Sequence, residues 1–245
     1  MLIGMTPEDF STFVASRHSV RDFRPDPVPQ QTLDAIWADA TTAPSWSNTR
    51  SYQLAIATGD RADRLRAGYR AAYDKVAPVR RKERGAKLRA LLSGSLPDGD
   101  FKAWRPYPPD LRPRSEQVGR ALYEHLGIAR GDWARRQEAD RANMNGFGAP
   151  VLGFVLVHRA MVPVSALDAG LMLQTVFLSA KAHGVDSCAL GAFAIWRRVL
   201  ATEFDLPRRY GLITGFALGY ASDAPVNDFR ARRPAVELVA AKRPG

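Results

Sequence analysis

The segment SALDAGLMLQTVFLSAKAHG, residues 165–184, sets the tightest limit on what this chain can fold into. Its apolar residues surround the helical axis instead of forming one stripe, and a helix of that kind belongs at the centre of a core or at a subunit interface. Asp168, Gln174, Lys181 and His183 make it too polar to span lipid. Ser165, followed three residues later by Asp168, reads as a capping-box-like start, and Gly184 falls where a left-handed residue closes a helix. Just before it, APVLGFVLVHR is short, apolar and bounded by turn residues, the pattern of a strand buried on both faces.

Around these two segments the rest of the chain falls into place. TPEDFSTFVASR opens with Thr6, Pro7 and Glu8, and Phe10, Phe13 and Val14 follow at helical spacing, so a first helix is predicted there. In QQTLDAIWADATTA, Leu33, Ile36, Trp37 and Ala40 repeat at i, i+3, i+4, i+7, which predicts a second helix stopping at Pro44. SYQLAIAT, GVDSCALGAF and YGLITGFALGY read as strands. Helical pieces are predicted near 61–91, 114–127 and 131–144, with the proline-rich SGSLPDGDFKAWRPYPPDLRPR between the first two. A connection of that length inside a compact domain is usually functional, and it is expected to fold over a pocket. No repeat or linker divides the chain, so residues 1–245 are read as one domain in which about 61–148 form a variable basic lid.

The net charge of +10 raises the question of nucleic acid. Between Arg61 and Arg141 there are 20 Lys and Arg against 11 Asp and Glu, so that segment holds +9 of the +10. The excess is regional and mixed with acids and prolines, and the aromatics show no stacking-platform pattern. A basic surface that draws in anionic small molecules, such as a pyridine nucleotide, accounts for it, and a nucleic-acid-binding protein is the rival reading from another class. The start MLIGMTPEDF lacks a basic n-region and a long apolar run, so no signal peptide is read. One cysteine, Cys188, excludes an intrachain disulfide framework and fits a reducing cytoplasm.

The usual protein-borne chemistry is missing from the pattern. His18, His125, His158 and His183 form no metal-ligand spacing, and no nucleophile elbow, P-loop or complete dinucleotide fingerprint is present. If the chain is an enzyme, an organic cofactor carries its reactivity. RHSVR, residues 17–21, is the best candidate for holding one. Arg17 and Arg21 share a side in a helix, and Arg17, Ser19 and Arg21 share one in an extended segment; either geometry makes an anion site, because guanidinium forks match phosphate oxygens.

Four stretches, RHSVR at 17–21, APSWSNTR at 43–50, DSCALGAF at 186–193 and GYASDAPVNDFRARRP at 219–234, together resemble the FMN-dependent nitroreductase family over essentially the whole chain. The middle stretch YPPDLRPRSEQVGRALYEHLGIARGDW looks like the branch related to nitrobenzoate reductases. The resemblance implies an α+β fold with a mainly antiparallel central sheet flanked by helices. It also implies an intertwined homodimer with FMN at the interface, without membrane or nucleic-acid partners.

By that resemblance Arg17, His18, Ser19 and Arg21 hold the flavin, and Arg230 and Arg232, with Arg233 in a neighbouring register, close on its phosphate. Pro44, Ser45, Trp46 and Asn48 reach the flavin of the other subunit, and Ala189, Leu190 and Gly191 supply the backbone turn facing its ring. The sequence departs from the family at Arg50, Ser51 and Tyr52, which stand where Gln-Pro-Trp is usual, and at Leu190, near which many relatives carry a glutamate. Of the aromatics Trp104, Tyr107, Tyr123 and Trp133 in the lid, one or two are expected near a substrate pocket. The implied activity is ping-pong transfer of hydride from NADPH or NADH to a nitroaromatic or quinone-like small-molecule acceptor. No protein acid, base or metal takes part in the hydride step. Related flavin chemistries, namely enone reduction, reductive dehalogenation and oxidative dehydrogenation, are the alternatives within the same frame.

Overall fold

Alternate side chains of one strand build both halves of the core. In β2 (Val151–His158), Val151, Val155 and Val157 face one way, while Leu152, Phe154 and Leu156 face the other, and all six are buried. The period-two pleat needs an apolar layer on each side of such a strand. The computed structural model describes residues 4–81, 83–101 and 106–241. β1 (Tyr52–Thr58), β3 (Asp186–Leu190) and β4 (Tyr210–Gly219) join β2 in an antiparallel sheet of order β1-β2-β4-β3. All four strands lie where the sequence pattern predicts them.

α1 (Pro7–Ser16) starts at a capping box in which Thr6 and Asp9 exchange hydrogen bonds. α2 (Gln30–Ala40) and α7 (Val164–Ala182) cover the Val155 face of the sheet through Leu33, Ile36, Met172 and Val176. α3 (Gly59–Arg80) covers the Leu152 face through Leu65, Tyr69 and Tyr73, with Tyr69 stacked on Phe193 at 4.5 Å between centroids. α4 (Ala86–Leu92), α5 (Arg112–His125) and α6 (Trp133–Met144) form the basic segment beside α3, and the short α8 (Arg197–Ala201) precedes β4. The layers meet so closely that a Cβ on Gly153 would lie 2.0 Å from the Phe216 ring, so only glycine fits that position of β2.

Three boundaries differ from the sequence pattern. The helix predicted over 61–91 breaks into α3 and α4, and α4 starts after Gly85, whose φ of 71° is left-handed. α2 ends at Ala40, four residues before Pro44, because Thr41 and Thr42 turn their hydroxyls onto the Ala38 and Asp39 carbonyls. α7 begins at Val164 without a side-chain cap: the Ser165 hydroxyl donates to the His158 carbonyl at 3.0 Å, and Asp168 turns inward. At its other end the prediction holds. Gly184 (φ 72°) donates to the Lys181 carbonyl and Val185 to that of Ala180, the paired bonds that close a helix on a left-handed residue.

One protomer leaves apolar surface uncovered. α7 buries Ala169, Met172, Val176 and Ala180 but exposes Leu167 and Leu171 on its other side, and Phe10 on α1 is half exposed. The C-terminal segment has no regular structure after Asp228, and Val236, Leu238 and Val239 are almost fully exposed. Among the described residues no helix is long and apolar enough to cross a membrane.

Candidate active site

RHSVR takes the extended form. α1 ends at Ser16, Arg17 is already extended (φ −70°, ψ 121°), and Ser19 forms a parallel bridge with Ser187 along the outer edge of β3. Val20 is fully buried and its N–H donates to the Ser187 carbonyl at 3.1 Å, which leaves Arg17, Ser19 and Arg21 half-buried along the adjacent surface. Asn227 fixes the register: its Oδ1 accepts the Arg21 N–H at 2.8 Å, and its Nδ2 donates to the carbonyls of Asp22 (2.8 Å) and Ser222 (3.0 Å).

This corner gathers positive charge without a counter-ion. Burial foremost, and repulsion from Arg233 next, pull the Arg17 guanidinium below its ordinary pKa. Burial also lowers that of Arg21, with a smaller contribution from Arg233, and the Arg21 guanidinium lies 5.7 Å from the Phe229 ring centroid. Among the described residues no carboxylate pairs with Arg17, Arg21 or Arg233. Two partly desolvated cations, Arg17 and Arg21, and the exposed Arg233 beside them form a ready site for an anion. His18 points away from this role, its Nδ1 hydrogen-bonded to the Ser16 carbonyl at 3.0 Å.

The β3 end supplies backbone donors. Because the Ser187 carbonyl points outward to Val20, the two-residue period turns the Ala189 backbone outward too, on an edge that no further strand among the described residues covers. Ala189 and Gly191 are exposed, nothing lies within 4 Å of a Cβ built on Gly191, and the Leu190 side chain is buried below. Ser187 Oγ is buried beside this edge with no hydrogen-bond partner among the described residues. Burial pushes the neighbouring Cys188 thiol up to about 11 despite the opposing pull of Arg21, Ser19 and Arg17, so it is a neutral packing residue.

The second predicted contact region, Pro44–Asn48, sits at the diagonally opposite corner. It leads into β1, the far edge of the sheet from β3, at the end where Tyr52 pairs with Val157 and Val157 with Gly211. RHSVR lies at the other end, where Ser187 pairs with Leu218. Three strand spacings and seven residues of β4 separate the two, roughly 25 Å. The loop is exposed and strained. Ser47, Asn48 and Arg50 have φ of 49°, 54° and 44°, the left-handed region that costs a non-glycine residue about 1–2 kcal/mol, and Trp46 is 63% exposed. The Ser45 hydroxyl accepts the Arg50 N–H at 3.1 Å, and the Arg50 guanidinium donates to the Thr41 carbonyl at 2.6 Å.

The C-terminal arginines separate. Arg233 joins Arg17 and Arg21 electrostatically, Arg230 turns back onto the Asn227 carbonyl at 2.6 Å, and Arg232 faces a groove with Arg114, Val118 and Ala121 of α5. In the lid, Tyr123 and Trp133 line one cleft of about 210 Å³ with Tyr73, Arg136 and Asp140, the Arg136 guanidinium 4.5 Å from the Tyr123 ring centroid. Tyr107 is exposed outside that cleft, and Trp104 lies outside the described residues. The proline-rich connection does cover a cavity. Leu96 and Pro97 close an apolar space of about 420 Å³ against Val76, Met144, Ile195 and Trp196, and Asp100 pins the segment by accepting from Leu212 N–H and Arg197.

Two residues that organise these corners do not read from the sequence as site residues, and Asp168 reads there as part of a helix cap. Asn227 carried no signal beyond its place in APVND. Asp168 carried one: a carboxylate in a helix apolar all round must find buried donors, and it finds them in the Trp46–Ser51 loop.

The comparisons with known proteins agree with this architecture. The profile described as Nitroreductase family matches residues 14–220. The chain is 30% identical over 236 residues to the 4-nitrobenzoate reductase of Pseudomonas putida, covering 94% of each chain. Of solved structures, the FMN-dependent nitroreductase NfnB from Mycobacterium smegmatis in complex with NADPH is similar with a TM-score of 0.77 at 28% identity, over 92% of this chain and 94% of that one. The FMN and NADPH-dependent nitroreductase NfnB from sphigopyxis sp. strain HMH matches with the same TM-score and coverage at 31% identity. By its sequence and by the shape of its sheet and helices, this chain belongs to the nitroreductase family.

Proposed function

We propose that the protein is a homodimeric FMN-dependent NAD(P)H nitroreductase whose two flavin sites each draw on both subunits. The carrying observation is the diagonal: an uncompensated cationic corner at β3 and a left-handed polar loop at β1 lie roughly 25 Å apart in one protomer, beyond the reach of a single mononucleotide. A second copy brings the two kinds of corner together. The exposed Leu167 and Leu171 of α7 and the apolar Val236, Leu238 and Val239 of the C-terminal segment give that copy surface to bury, at about 1.5–3 kcal/mol for each large side chain.

Arg17, Arg21 and Arg233 suit the cofactor phosphate, which brings about −1.5 to −2 charge. Carbonyl bonds do not rank these groups, since Arg21 (to Ser19, 3.2 Å) and Arg233 (to Ala231, 3.4 Å) make them as Arg230 and His18 do; Arg232, turned toward α5, is secondary in this reading. The outward backbone of Ala189 and Gly191 offers donors to a ring edge, and buried Leu190 holds that turn. Pro44, Ser45, Trp46 and Asn48 act on the site of the other copy. Bound FMN supplies the hydride transfer between a nicotinamide donor and a nitroaromatic acceptor. The chain's own part is to bind, to orient, and to place positive charge where negative charge collects.

A mixed dimer tests the reading. Chains carrying Arg17→Ala/Arg21→Ala and chains carrying Asn48→Ala are co-expressed with different affinity tags and the doubly tagged dimer is isolated. One of its two sites then carries both lesions and the other is wild type, so flavin absorbance and NADPH- or NADH-driven nitroaromatic turnover should return in about one site per dimer. Sites contained in single chains would leave every site of that dimer damaged, and values no better than the homodimer average would overturn the assignment.

A further inference from the structure

Asp168 stands out from its surroundings. It is 2% exposed, on the side of α7 formed by Ala169, Met172 and Val176, and burying a carboxylate there is unfavourable unless its oxygens are matched. Both matching donors come from one loop. Oδ1 accepts the Trp46 N–H at 3.0 Å and Oδ2 accepts the Ser51 hydroxyl at 3.3 Å, so a single side chain closes the loop at its first and last residues. Between those points lie the left-handed Ser47, Asn48 and Arg50, and the exposed Trp46 ring contributes little packing of its own. The residue next to Asp168 on the helix is Leu167, 61% exposed on the face left uncovered in one protomer.

We propose that Asp168 is a positioning residue for the flavin site: its carboxylate holds the Trp46–Ser51 loop in the left-handed shape that presents Asn48 to the cofactor of the other subunit. The proposal rests on the shared-site reading above. Since Asp168 and Leu167 sit on one turn of α7, pairing of the subunits and ordering of the loop are mechanically joined. Asp168 touches neither the cofactor nor the substrate in this scheme; it acts through Trp46 and Ser51.

Complementation separates this role from a general contribution to folding. In the homodimer, Asp168→Ala should weaken FMN binding by about ten- to a hundredfold, the range of one charge-assisted hydrogen bond. Asp168→Asn keeps one acceptor oxygen for the Trp46 N–H and should lose less. Paired with an Arg17→Ala/Arg21→Ala chain, an Asp168→Ala chain should restore about one flavin per dimer, since both lesions then fall on the same site. Paired with an Asn48→Ala chain it should restore none, because the two lesions then damage different sites. If Asp168→Ala lowers the yield of folded dimer, Asp168→Asn is run through the same pairings and should give the same pattern with a smaller loss.

Two results overturn the proposal directly: rescue of the Asn48→Ala chain, or no rescue of the Arg17→Ala/Arg21→Ala chain while the Asn48→Ala control does rescue it. The first would mean that Asp168 serves the arginine corner of its own chain. The second would mean that its loss damages the whole subunit. Failure of the Asn48→Ala control itself overturns the shared-site reading, and the proposal with it.

Discussion

The two corners of the sheet are built by different means. At the β3 corner, residues 17–24 are tied in by backbone bonds: Val20 N–H to Ser187, Phe23 N–H to Phe147 and Arg24 N–H to Tyr220, with the buried Asn227 side chain filling the remaining gap. At the β1 corner, Trp46–Arg50 is exposed and partly left-handed, and it is held mainly by side chains: Asp168 accepts the Trp46 N–H, and the Arg50 guanidinium donates to the Thr41 carbonyl. A segment laddered onto a sheet edge has already met its ordering cost when the subunit folds, so its arginines are held ready for an anion. A loop hung on a side chain keeps its shape only while that brace and its neighbours are present. On the shared-site proposal, the cationic half would be a property of the folded chain and the loop half would depend on assembly.

The largest effect expected from breaking this contrast is on the cationic side. Arg17→Ala/Arg21→Ala removes two charge-assisted contacts of about 1.5–3 kcal/mol each, so FMN affinity should fall at least about a hundredfold while the ligand-free protein unfolds near the wild-type urea midpoint. Flavin titration and urea unfolding measure the two halves, and full affinity in the double mutant would remove the anion site from this corner. Asn227→Ala is expected to act the other way round. It strips the Arg21 N–H of its acceptor and two carbonyls of their donor in a buried place, which should cost about 3 kcal/mol of stability. A loss below about 1 kcal/mol would show that the corner stands without that brace.

The smallest effect is a difference in sign between two glycine substitutions. Ser47→Gly relieves a left-handed serine and should leave stability unchanged or raise it by up to about 1 kcal/mol. Ser19→Gly, in the extended bridged segment, should lower it by about 0.5–1 kcal/mol through added freedom of the unfolded chain. Equal losses in urea unfolding of the two variants would mean that the loop corner carries no strain.

Much of the fold was legible because it depends on local periodicity. The apolar run of β2, the Leu33–Ile36–Ala40 stripe and the Gly184 stop each follow from a few neighbouring residues, and the structure keeps them. The misread features share another origin. Thr41 and Thr42 end α2 by turning onto carbonyls of the helix itself, and Ser165 abandons a cap for the end of β2. In each case a polar side chain had a local and a competing partner, and spacing alone does not choose between them.

The sequence by itself determined where the strands and helices lie and which residue types suit an anionic ligand, because pleat, helical period and side-chain charge are properties of short stretches; the antiparallel layered fold was an expectation from the family resemblance. Only the tertiary structure decided that Arg233, not Arg232, shares the corner with Arg17 and Arg21, that Asp168 holds a loop more than a hundred residues away in sequence, and that RHSVR and PSWSN stand at opposite ends of a diagonal. Those outcomes depend on strand order and register, which place distant segments in space, and no single stretch of the chain contains that information.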